Sequence, residues 1–153
     1  MILQLPDEDV IMNIHEIVLL VSGGKAGVLN IERVKAAVQR PNTYVQYDNE
    51  YDIDTICALL IDSIARGHGF NDGNKRTALM TAIFTYRIND VDFTPSKELN
   101  DDFDALVMKV VLDKPEVEDV AKSLRALKAI HQTNPLSWKK FMQIFHNLAE
   151  RKD

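Results

Sequence analysis

The residues of this chain best suited to chemistry lie in one string, Arg66-Gly-His-Gly-Phe-Asn-Asp-Gly-Asn-Lys-Arg-Thr77, which holds three of the six glycines. The string joins two long apolar segments. A loop that feeds a helix start presents unpaired backbone N–H groups and the positive end of the helix dipole, so it favours an anion, phosphate above all. Gly73 lets the backbone approach a ligand closely. Asn74, Lys75 and Arg76 add one neutral and two cationic donors within the first turn. Two cations at a helix start oppose the dipole, and an anionic ligand resolves that conflict. His68 can move a proton near neutral pH. Asp72 is a hard oxygen donor, and a magnesium ion beside phosphate needs few protein ligands. Base, metal ligand and phosphate cradle together describe phosphoryl or nucleotidyl transfer. Taken singly, each residue has an ordinary reading: a solvated histidine, a turn, an exposed Lys-Arg pair. The order and density of the string argue for the joint reading.

The elements that must position this loop are helical. Ile11, Ile14, Val18 and Val21 recur on one face and stop at Gly23-Gly24. Asn30 is a helix cap with Ile31, Val34, Ala37 and Val38 inward, and Arg40-Pro41 is expected to end that helix. Residues 42–51 carry three of the four tyrosines and an Asp48-Asn49 turn signal, and read as a loop or short β-hairpin. Asp52 or Asp54 then caps a helix with Ile53, Ile56, Cys57, Leu60, Ile61 and Ile64 on one stripe, closed by a left-handed Gly67. Cys57 reads as core filler, and Phe70 as the plug of the loop. A helix over about 77–88 is apolar nearly all round, which suits a buried central element. Thr94-Pro95-Ser96 begins another, Lys114-Pro115 breaks the chain, and Val117, Val120, Ala121, Leu124 and Leu127 mark a further helix. The expected fold is all-α: a compact helical bundle over residues 1–130. Residues 131–153 read as a linker and a C-terminal amphipathic helix bearing Trp138, Phe141, Met142, Phe145 and Leu148. Asp101, Asp102 and Asp104 read as a solvated face, and His15, His131 and His146 receive no role.

Composition narrows the class. The chain has 153 residues, 46% hydrophobic and 27% charged, with a formal net charge of -5. That suits one ordinary domain and argues against a nucleic-acid binder; positions 1–60 alone carry nine acidic against four basic residues. A single cysteine excludes an internal disulfide or a multi-cysteine zinc site. No apolar run approaches a membrane span, and the N-terminus does not look like a signal peptide, so the expectation is a cytoplasmic protein.

His68-Gly-Phe70-Asn-Asp72-Gly73-Asn74-Lys75-Arg76 closely resembles the signature of the Fic/Doc superfamily, His-x-Phe-x-Asp/Glu-Gly-Asn-Gly-Arg. Lys75 in place of the second glycine resembles the death-on-curing (Doc) branch. The similarity extends to Thr77-Ala78-Leu79, to Gly27-Val28-Leu29 and to Val34-Lys35-Ala36-Ala37 with Arg40-Pro41, covering roughly residues 5–127. It implies a Fic-like helical fold with His68 as the base that deprotonates a target hydroxyl and Asp72 as the residue that binds magnesium or helps position the nucleotide. Arg66, Gly73, Asn74, Lys75 and Arg76 would form the nucleotide-binding set. Segment 42–51 falls where Fic-like proteins carry a target-aligning flap. Members of the Doc branch are toxins of toxin–antitoxin pairs. The implied reaction moves the terminal phosphate of ATP to a threonine of elongation factor Tu, whereas ordinary Fic proteins transfer AMP. A lysine at position 75 fills space that a glycine leaves to phosphate, and this favours phosphate over AMP transfer. AMP transfer and a non-catalytic binding module are the alternatives. A self-inhibitory Ser/Thr-x-x-x-Glu-Gly/Asn helix is not matched: Thr94 to Glu98 has the spacing, but Leu99 follows. Control is therefore expected from a separate antitoxin, whose helical segment would fill a groove of the toxin.

Overall fold

The computed structural model describes residues 2–48, 50–92 and 97–133, together with 143, 146 and 147. Six helices make up the described chain: α1 (Glu8–Ser22), α2 (Ile31–Tyr47), α3 (Ile53–Gly67), α4 (Asn74–Ile88), α5 (Lys97–Asp113) and α6 (Val117–Thr133). The described residues contain no strand beyond one isolated antiparallel bridge, Val28 with Phe70. The all-α expectation holds.

The apolar spacing explains the layout. α3 is the axis of the bundle and packs on α2, α4, α5 and α6, while α1 lies mainly along α4. Cys57, Ala58 and Ile61 of α3 are fully buried and form a continuous core with Ala78, Ala82 and Tyr86 of α4, Phe103 and Val110 of α5, and Leu124 of α6. Each large apolar side chain so enclosed contributes about 1.5–3 kcal/mol of burial. Cys57 is core filler as expected, and burial pushes its thiol well up from its ordinary range.

A polar cluster ties α6 to α3 and α4. Asp54 is buried, accepts from the Tyr86 hydroxyl at 2.7 Å and pairs with Lys128 Nζ at 2.7 Å. Arg125 bonds Asp52 and approaches Asp54 at 3.5 Å. A buried carboxylate needs such partners, since an unpaired charge in the core is strongly destabilising.

The ends of the helices are mostly as the sequence reads. Asp7, Asn30 and Asp52 each accept a first-turn N–H of the helix that follows. Two boundaries differ. α2 does not end at Arg40-Pro41 but runs on to Tyr47, so the expected loop or hairpin over 42–51 is largely helix. Pro41 is buried on the inner face, the Asn42 amide donates back to the Val38 carbonyl at 2.8 Å, and Gln39 reaches Thr43. These contacts support a turn that proline would otherwise weaken. α3 includes Gly67, and the left-handed residue that closes it is His68, φ 50° and ψ 45°. The Arg33 guanidinium caps the Gly67 carbonyl at 2.6 Å.

On α5, Asp101 and Asp104 are exposed as expected, but Asp102 is half-buried, and burial pushes its carboxyl up. Thr94-Pro95-Ser96, which opens both the expected helix and the near-match Thr94–Glu98, and all but positions 143, 146 and 147 of the stretch from Trp138 to Leu148 lie outside the described residues.

Candidate active site

The site is the turn between the two central helices. α3 delivers His68; Gly69 and Phe70 follow; Asn71, Asp72 and Gly73 turn the chain into α4. Phe70 is buried and anchors the turn. The Asn74 side chain clamps it: its Oδ1 accepts the Phe70 N–H and its Nδ2 donates to the Phe70 carbonyl, each at 3.0 Å. Gly69 has no room for a side chain, because a Cβ there would lie 2.8 Å from Val34 Cγ2.

A second segment, residues 23–30, wraps over this turn. The Leu29 and Asn30 N–H groups donate to the Gly69 carbonyl at 2.8 and 3.0 Å, and the Asn71 N–H donates to the Gly27 carbonyl at 3.0 Å. The Asn71 amide also reaches the Ala26 carbonyl. Gly24 and Gly27 stand at φ 132° and 114°, in the half of the map that favours glycine. A Cβ on Gly24 would come within 2.6 Å of Asp72 Oδ2. The resemblance around Gly27-Val28-Leu29 thus falls on backbone that holds the turn in shape.

The turn borders a cleft of ≈ 320 Å³ lined by His68, Asn71, Asp72, Gly73, Asn74, Lys75 and Arg76, with Ala65 and Val111 supplying an apolar side. Gly73 is the residue before α4. It stands at φ 78° and gives the helix no side-chain cap, and no acidic residue lies in the first turn. α1, α2 and α3 all have such a cap. The first-turn N–H groups of α4 therefore face the cleft without one, which is the arrangement that binds an anion.

Asp72 is half-exposed at the rim. Its Oδ2 accepts the Lys25 N–H at 3.0 Å, and its Oδ1 accepts the Gly73 N–H at 2.8 Å. Those two bonds, with the Arg76 guanidinium 3.5 Å away, hold its carboxyl below the ordinary aspartate range. The group is a carboxylate near neutral pH. Each oxygen keeps a lone pair beyond the bond it already accepts, so Asp72 fits the role of single protein ligand to a magnesium ion. The described residues hold no cluster of three or more candidate ligands. A magnesium ion here would complete its shell with phosphate and water oxygens.

His68 is exposed at the cleft and its ring has no hydrogen bond among the described residues. Its non-glycine left-handed backbone is the strained geometry that clusters at functional turns. Lys75 is exposed and unpaired among the described residues. Arg76 is partly engaged: it bonds the Ser22 hydroxyl, donates to the Gly23 carbonyl at 2.8 Å and faces Asp72. The cleft thus gathers His68, Asp72, Gly73, Asn74, Lys75 and Arg76. Arg66 is not among its lining residues. The Arg66 guanidinium pairs with Asp62 at 2.9 Å, and Asp62 is shared with Arg40 at 2.7 Å.

Sequence reading passed over His15. Its ring is buried, lies parallel to the Phe70 ring at 3.8 Å, and its Nε2–H donates to the Asp72 carbonyl at 2.8 Å. The available signal was its register: with Ile11 and Val18 it forms the buried face of α1.

A second feature adjoins the cleft. α1 and α4 form an apolar groove of ≈ 500 Å³ lined chiefly by Ile17, Val21, Leu79, Met80, Ile83 and Phe84, with Arg76 and Arg87 also contributing. Val21 is 80% exposed, unusual for an apolar side chain in a patch of its own kind. Arg76 lines both cleft and groove.

Comparison with known proteins agrees with this geometry. The family described as Fic/DOC matches residues 5–85, which spans α1 to α3, the whole turn and most of α4. A relative named "Protein kinase doc", from Escherichia phage P1, is 34% identical over 122 residues, covering 80% of this chain and 92% of the relative. A second, "Toxin Doc" from Mycolicibacterium smegmatis, is 31% identical over 117 residues, covering 72% of this chain and 85% of the relative. The motif, the helical frame that bends it around an open helix start, and matches running nearly the full length of both relatives lead to one assignment: the chain belongs to the Fic/DOC family.

Proposed function

We propose that this protein is the toxin of a toxin–antitoxin pair, and that its cleft moves the γ-phosphate of ATP to a threonine hydroxyl of a translation factor such as elongation factor Tu. One observation carries the reading: the uncapped start of α4, with Lys75 unpaired among the described residues, opens into the same cleft as His68 and Asp72. The names of the two relatives, a protein kinase and a toxin, support it.

In this reading the α4 N–H groups, Lys75 and Arg76 hold the phosphates. The Asn74 amide bonds the Phe70 backbone and so keeps the turn in shape. Asp72 would hold magnesium, which screens phosphate charge when bound. His68 accepts the proton of the target hydroxyl. The hydroxyl oxygen then bonds to the γ-phosphorus, the bond from that phosphorus to the β–γ bridging oxygen breaks, and ADP leaves with that electron pair. An ammonium at position 75 suits the added charge near the reacting phosphate. The target enters in the cytoplasm, and no nucleic acid takes part.

The antitoxin is supplied as a separate chain. The α1–α4 groove suits an amphipathic helix whose apolar stripe covers Ile17, Val21 and Phe84 and whose acidic residues meet Arg76 and Arg87.

Expression in a bacterial host tests the toxin reading. The wild-type chain is expected to arrest growth and His68→Ala to abolish the arrest at equal protein level. Arrest retained in His68→Ala would overturn the role given to His68.

A further inference from the structure

We propose that His15 is a positioning residue for the Asp72 carboxylate. The proposal rests on the reading of Asp72 as the magnesium ligand beside nucleotide phosphate. A buried imidazole is an expensive choice at a core position unless it is bonded, because an apolar side chain would fill the same space without a polar group. His15 is 4% exposed on a face otherwise made by Ile11 and Val18. It meets the turn twice, through its ring on Phe70 and through its Nε2–H on the Asp72 carbonyl.

The second contact reaches the carboxylate through one rigid unit. The Asp72 carbonyl and the Gly73 N–H belong to a single planar trans peptide, so the two point in opposite directions. With the carbonyl fixed by His15 on one side, the N–H is aimed to the other side, where it donates to Asp72 Oδ1 at 2.8 Å. The Lys25 N–H holds Oδ2 from the wrapping segment. His15 therefore sets the plane of the peptide that orients the carboxylate and leads into the left-handed Gly73 and the open start of α4. Outer partners of this kind tune metal ligands through geometry.

The test separates the hydrogen bond from the packing. His15→Phe keeps an aromatic ring against Phe70 and removes the donor. His15→Gln keeps a donor at similar reach and removes the ring. The measurement is Mn²⁺ affinity by electron paramagnetic resonance titration of the full chain with the non-hydrolysable ATP analogue AMP-PNP, with circular dichroism to verify folding. His15→Phe is expected to weaken Mn²⁺ binding by about 10-fold or more, and His15→Gln to stay within about 3-fold of wild type. A role in packing alone predicts the reverse order, and that order would overturn the proposal. Should His15→Phe not fold, His15→Gln decides: an affinity as weak as that of Asp72→Ala would also overturn it. If wild type and Asp72→Ala bind the ion equally, the metal role of Asp72 fails, and this proposal with it. If Asp72→Ala loses binding while both His15 variants keep it, only the role of His15 fails.

Discussion

Asn74 holds Phe70 from both sides of its backbone, accepting its N–H and donating to its carbonyl at 3.0 Å each. The residue that opens α4 thus fixes the shape of the turn before it. The cleft depends on a clamp made by a residue that also lines it.

Removing that clamp should be costly. Asn74→Ala leaves a part-buried N–H and carbonyl of Phe70 without partners, a loss of about 1–3 kcal/mol. Urea unfolding is expected to give a lower midpoint with an unchanged slope. Transfer activity should fall as well, because the turn no longer presents His68 and the α4 start together. An unchanged midpoint would show that the clamp carries no stability.

The Asp52–Arg125 pair predicts an acid-side change in stability. Partial burial of Asp52 works against its charge. The Arg125 guanidinium, the Asp54 N–H and the Thr55 hydroxyl outweigh it and hold the carboxyl below its ordinary 3.8. A carboxyl whose folded pKa is depressed stabilises the fold fully above the unfolded value and loses that contribution as pH falls through the folded value. Asp52→Asn keeps a good N-cap for α3 but removes the charge. At neutral pH the variant should be less stable by up to about 1 kcal/mol, a modest figure because both partners are substantially exposed. The gap should close below the ordinary aspartate range. Unfolding curves from pH 7 to 2.5 check this, and a gap that widens on acidification would contradict it.

The groove between α1 and α4 predicts a separation of arrest from neutralisation. Val21 is exposed and lines the groove but not the cleft. Val21→Glu should therefore keep growth arrest and stability, since little burial is lost. It should escape rescue by a co-expressed product of the adjacent reading frame, because a carboxylate would face an apolar stripe. Full rescue of Val21→Glu would move the antitoxin elsewhere.

Much of the frame was legible because it rests on periodicity. The stripes Ile11–Val18 and Ile53–Ile64 became α1 and α3, and Asn30 and Asp52 became the caps their types suggest. Residues 42–47 were misread because the Pro41 rule is local. Nothing nearby reveals that the Pro41 ring is buried or that Asn42 bonds back to Val38. Gly67 was given the left-handed turn on residue type, yet His68 adopts it, a strained choice that type preferences disfavour. The motif residues were readable as a string. Their division of labour was not: that Asn74 spends its amide on Phe70, that Arg66 turns to Asp62, and that His15 crosses 57 positions to meet Asp72 are facts of packing.

The central claim is transfer of the terminal phosphate, and the position of a label tests it most directly. The protein is incubated with bacterial extract and magnesium, using ATP labelled at either the α- or the γ-phosphate, with His68→Ala and Lys75→Gly alongside. The account predicts γ-label on a band of elongation-factor size, no label with His68→Ala, and reduced γ-label with Lys75→Gly. Label from the α position with the wild-type protein would mean nucleotidyl transfer and would contradict the account.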